Sequence, residues 1–142
     1  MAWLGLIYHH VVYWVAGTTP EAHHANLANT WYKLSRYANC IEHCQKYLSY
    51  EDSDQIKAMM AYCLGALGDW EGSASAYRSI SGIWDEPSFA LGLAEAELRR
   101  GNADEARKIV ATVEVSNPNP KYEVTMALEF LNSELAEAAT GE

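Results

Sequence analysis

Three segments of this chain, residues 21–53, 54–86 and 87–119, align without gaps at a period of 33, and a repeat of that length narrows the fold more than any single motif. Ala28, Ala61 and Ala94 stand at the eighth position of each unit, preceded by the larger apolar Leu27, Met60 and Leu93. Each unit breaks at Ser35-Arg36, Gly68-Asp69 or Gly101-Asn102 and restarts with Tyr37, Trp70 or Ala103. A helix, a tight turn and a second helix are therefore expected in each. In the second helices, apolar or small residues recur at i, i+4 and i+7: Cys40, Cys44, Tyr47; Ser73, Tyr77, Ile80; Ala106, Val110, Val113. That spacing makes one buried stripe per helix. Asp52-Ser53-Asp54 and Asp85-Glu86-Pro87 supply caps or a first-turn proline for the following unit, and Asn117-Pro118-Asn119-Pro120 closes the last. Residues 121–138 are expected to form a final helix, whose acidic groups at 123, 129, 134 and 137 suit a polar cap on a stack.

The fold class that follows is all-α, a superhelical stack of antiparallel helical hairpins with an extra N-terminal helix and a C-terminal capping helix. At 142 residues the chain is read as a single domain, 1–142. One hairpin cannot bury its own apolar stripe, so neighbouring units must supply the second wall.

Residues 1–17 include the most apolar stretch, AWLGLIYHHVVYWVA. His9 and His10 interrupt it, no Lys or Arg precedes it, and about 15 helical residues span only about 22 Å of a hydrocarbon core of about 30 Å. The same features weigh against a cleaved export signal, although Val15-Ala16-Gly17 offers small residues near a cut. As a helix, the segment places Trp3, Ile7, Val11 and Trp14 along one face, which calls for cover by the next helix, a second copy or a partner. Its β-branched and aromatic run also suits a strand.

Charge points away from nucleic acid: 10 basic residues face 19 acidic ones, a net charge of -9, concentrated in residues 71–142. Three cysteines without framework spacing fit free thiols in a reducing compartment, with the cytoplasm as the default address. Cys40, His43 and Cys44 share one side of a helix, but the spacing is not that of a common zinc motif and both cysteines occupy packing slots, so no metal is expected. The pairs His9-His10 and His23-His24 are read as packing or interface residues. Glu95 and Glu97 lie on different sides of their helix and make no acid–base dyad. With no nucleophile elbow, Walker loop or dinucleotide fingerprint, the chain is read as a non-enzyme without a cofactor.

Residues 21–119 resemble the tetratricopeptide repeat, a helix-turn-helix unit with small residues in fixed slots, an aromatic near the turn and proline near the end. The second unit is the closest, with Ala61, then Leu67-Gly68-Asp69-Trp70, then Tyr77 in the family's places. His24, Lys57 and Ala90 stand where the family favours Trp, Ser35 replaces the first turn glycine, and each unit is one residue short. The resemblance implies a concave groove lined by the first helices, holding a peptide or helix of another protein. Its exposed positions here are Asn26, Asn29, Tyr32, Lys33, Met59, Tyr62, Leu91 and Glu95, with small residues at Ala25, Ala58, Gly65 and Gly92. Family members that grip the C-terminal carboxylate of heat-shock chaperones use Lys, Asn and Arg positions of which only Asn29 is present; Ala25, Met59, Ser88 and Gly92 occupy the others. That activity is disfavoured.

The segment Asp85–Phe89 with Gly101–Ala106 is similar to the third unit of bacterial type III secretion translocator chaperones, apart from Ser88 and Leu91. The functional expectation is a protein-binding adaptor, scaffold or chaperone, with two alternatives: a chaperone of that secretion class, or a structural homo-oligomer built through the apolar N-terminal segment. Neither nucleic acid nor a membrane is an expected partner.

Overall fold

A computed structural model describes residues 19–141. Every regular element among them is an α-helix: α1 Pro20–Lys33, α2 Tyr37–Leu48, α3 Asp54–Ala66, α4 Trp70–Arg78, α5 Pro87–Arg99, α6 Ala103–Ser116 and α7 Tyr122–Thr140. No helix among the described residues is long and apolar enough to cross a membrane. Segment 1–17, with Trp3, Ile7, Val11 and Trp14, lies outside the described residues.

The helix starts follow from local chemistry. Thr19 and Ser53 place their side-chain oxygens where the Ala22 and Ile56 N–H groups donate, each at 3.3 Å, and Pro20 and Pro87 fill first-turn positions that need no donor. The α1, α3 and α5 ends are equally legible, because one turn recurs at the 33-residue period. The Arg36, Asp69 and Asn102 N–H groups donate back to Trp31, Leu64 and Glu97 carbonyls at 2.9, 2.9 and 2.8 Å. The Ser35, Gly68 and Gly101 N–H groups donate to Tyr32, Gly65 and Leu98 at 2.9, 2.9 and 3.1 Å. This is the Schellman pattern, which requires positive φ at the residue after the cap; φ is 56° at Ser35, 85° at Gly68 and 90° at Gly101. The turn pays the orphan carbonyls of one helix and launches the next within three residues.

The helices divide into two compact units, α1–α3 within Met1–Asp69 and α4–α7 within Trp70–Glu142. In the first, α2 packs against both α1 and α3. Its core is Ala28, Cys40, Cys44, Ile56 and Cys63, with Trp31, Tyr32, Ile41 and Met59 packed around it. In the second unit α5 is enclosed by α4, α6 and α7, and α6 also packs on α7. The small slots at 28, 61 and 94 are fully buried, as are Cys40, Cys44 and Ala106 of the second-helix stripe; Ser73, Tyr77, Ile80, Val110 and Val113 are nearly so, and Tyr47 is half-buried. Such contacts, at roughly 25 cal/mol per Å² of apolar surface removed from water, hold the helices where propensity alone would not.

Candidate protein-binding face

On α1, burial of Leu27, Ala28 and Thr30 turns Asn26, Asn29 and Lys33 outward, and the i, i+3, i+7 spacing keeps these three on one face. On α3, burial of Ile56, Ala61 and Cys63 leaves Met59 half-buried and Tyr62 exposed. Tyr32 joins the two helices. Its ring centroid lies 5.5 Å from that of Tyr62 at 67°, and Tyr37 of α2 approaches the same ring at 6.1 Å and 69°. Both contacts are edge-to-face, the arrangement favoured by aromatic quadrupoles. Tyr62 is thereby gripped from two sides while 49% of its surface stays open to solvent.

Burial, with neighbouring thiol and phenol groups adding to it, pushes the Tyr32 and Tyr62 hydroxyls above the usual tyrosine range. Both remain hydrogen-bond donors at neutral pH. Met59 and Tyr32 rest on the core, Met59 adding a deformable thioether, while Asn26, Asn29 and Lys33 are exposed polar residues of α1.

The second-unit members of the expected groove behave differently. Leu91 is 3% exposed, a core residue and not a groove residue, because α5 has α4, α6 and α7 around it. Glu95 is half-exposed and lies 4.0 Å from Arg99, which also reaches Glu134 at 3.1 Å. The space beside Gly92 holds the Tyr77 ring. Of the expected groove residues, Asn26, Asn29, Lys33 and Tyr62 are exposed and Tyr32 and Met59 half-buried, all in the first unit.

Cys40 and Cys44 lie with sulfurs 3.9 Å apart, and Cys63 joins them in the same core, all three fully buried. Hydrogen bonding to Cys40, then burial, pushes the Cys44 and Cys63 thiols up. His43 turns away from the sulfurs toward α1. Its Nδ1 lies 3.1 Å from Nδ1 of His24, with ring centroids 5.3 Å apart and planes 26° from parallel. At that separation either Nδ1 can donate to the other, the tautomer deciding which. Among the described residues, no three His, Cys, Asp or Glu side chains are grouped to hold a metal ion.

Three features escaped sequence reasoning. Tyr37, noticed only as a restart residue, is part of the aromatic cluster. Glu97 is fully buried, with Arg78 at 2.5 Å, Asn102 at 2.8 Å and Arg100 at 3.3 Å, and Arg100 also pairs with Glu71. The outward side of α7 is not purely polar: Tyr122, Met126 and Phe130 are exposed on it, a spacing of four that the sequence does display. The chain matches no protein-family model and no curated protein sequence.

Proposed function

We propose that the protein is a non-catalytic interaction module, a divergent tetratricopeptide-like superhelical stack that holds a peptide or helix of another protein. The binding face is that of α1 and α3. The observation that carries this reading is Tyr62, half open to solvent yet fixed edge-on by Tyr32 and Tyr37, with Asn29 and Lys33 among the exposed polar residues of α1. A pre-positioned aromatic loses little rotamer freedom on binding, which is why Tyr is frequent among residues that dominate interfaces. The exposed amides and ammonium supply donors for a partner's backbone or carboxylates. Three thiols packed as small hydrophobes fit a reducing compartment, and the cytoplasm is the proposed location.

The test is affinity capture followed by titration of the captured partner's segment as a synthetic peptide. Wild type is compared with Tyr62→Asp, Asn29→Arg and the double variant Met59→Asp/Tyr62→Asp, after circular dichroism shows each folded. A loss of at least tenfold in peptide affinity for the Tyr62 variants supports the face. Unchanged affinity in folded Tyr62→Asp and Asn29→Arg rejects it.

A further inference from the structure

The last helix is apolar on two opposite sides. Val124, Leu128, Leu131 and Leu135 are buried against the second unit, and at about 100° per residue Tyr122, Met126 and Phe130 fall on the side facing away. These three are 74%, 48% and 46% exposed. Only one of the two sides is covered, whereas a helix apolar all round is normally enclosed. The open stripe amounts to roughly 300 Å² of mostly aromatic and thioether surface, on the scale of the functional patches of monomeric proteins.

The rim identifies the occupant. Glu123, Glu129 and Glu137 are exposed residues of the same helix that border the stripe, and residues 71–142 hold most of the chain's negative charge. A second copy brought onto the stripe would set glutamates against glutamates and add a net charge of -9 to one of -9. An anionic membrane surface meets the same repulsion. A segment with large apolar residues on one side and Lys or Arg beside them satisfies both features together.

We propose that the outward side of α7 is a second docking surface, separate from the α1/α3 face, for a basic amphipathic helix of another protein. Tyr122, Met126 and Phe130 receive its apolar residues, and Glu123, Glu129 and Glu137 pair with its flanking cations. The stripe is smaller than the roughly 800 Å² per partner of a standard stable interface, so the contact is a reversible one.

A 14-residue Leu/Lys peptide of amphipathic helical pattern serves as the probe, with a scrambled peptide of the same composition as control. Fluorescence anisotropy of labelled peptide against the full chain should show the amphipathic probe binding at least tenfold tighter than the scrambled one. Met126→Ser/Phe130→Ser should abolish that preference with the helical spectrum unchanged. Glu123→Gln/Glu129→Gln should weaken binding several-fold and flatten its dependence on NaCl. Equal binding of the two peptides, or a preference that survives Met126→Ser/Phe130→Ser, overturns the proposal. It is also overturned by sedimentation showing a dimer that dissociates in Met126→Ser/Phe130→Ser, which would make a second copy the occupant.

Discussion

The ring of Tyr77 occupies the place where a side chain on Gly92 would begin: a Cβ there would lie 2.4 Å from Tyr77 Cζ and 2.5 Å from its hydroxyl oxygen. Tyr77 is only 8% exposed, so its ring has little room to retreat. Gly92→Ala removes a helix-interior glycine, worth about 1 kcal/mol in its favour, but overpacks a filled site at about 1–3 kcal/mol. A net destabilisation of up to about 2 kcal/mol is expected in urea unfolding. In a Tyr77→Leu background the same change should become neutral or stabilising; an equal penalty in both backgrounds would show that the ring is not the cause.

The recurring turn makes a prediction of opposite sign at equivalent positions. At Gly68 and Gly101 a Cβ would meet nothing within 4 Å, so only the left-handed backbone resists substitution. Alanine there should cost about 1 kcal/mol each. Ser35 already bears that strain at φ 56°, and Ser35→Gly should stabilise by about 0.5 kcal/mol after the added freedom of the unfolded chain is counted. Thermal unfolding of the three variants checks the signs.

Glu97 is the one acidic side chain among the fully buried described residues, and its carboxylate ties α4 to α5 and to the turn before α6 through Arg78, Arg100 and Asn102. Glu97→Ala leaves these donors facing a void and should cost about 3–5 kcal/mol. Glu97→Leu should cost less, because Leu64 fills the equivalent place one period earlier and the side chains of Arg78 and Arg100, 46% and 24% exposed, can turn to water. Urea midpoints ordering Glu97→Ala above Glu97→Leu in stability would contradict this account.

The period made the local grammar legible. Ser35, Gly68 and Gly101 as breaks, and Tyr37, Trp70 and Ala103 as restarts, are readable from residue type and spacing, because hydrogen-bonded turns depend on residues a few positions apart. The fully buried Ala28, Ala61 and Ala94 follow from the same register. What periodicity does not encode is which helix covers the other side. Leu91 occupies a position that a three-hairpin groove would expose, yet it is buried in a unit where α7 also packs on α5. The acidic residues between the outward Tyr122, Met126 and Phe130 give that helix the pattern of a polar cap and mask its second apolar side. The structural role of Glu97 is not encoded in its own helix, because its partners Arg78 and Asn102 come from an earlier helix and a later turn.

The His24–His43 contact predicts how the protein responds to acid. Burial, then Lys46, His24 and His23, hold His43 down to about 4, while burial and Lys46 lower His24; Glu42 alone among the neighbouring charges opposes both shifts. An unfolded histidine titrates near 6.5, so between that pH and about 4 the unfolded chain binds the proton that native His43 refuses. Stability is therefore full above pH 6.5 and falls as the pH drops toward 4, by about 1–2 kcal/mol once solvent screening of a partly buried ring is allowed for. Most carboxylates stay ionised down to about pH 4.5, which separates this window from ordinary acid denaturation. Urea midpoints at pH 7 and pH 5 should differ in the wild type, and His43→Gln, which keeps a polar group but no titrating one, should narrow the gap. A gap of the same size in His43→Gln would place the acid sensitivity elsewhere and leave the His24–His43 contact between α1 and α2 without a role in it.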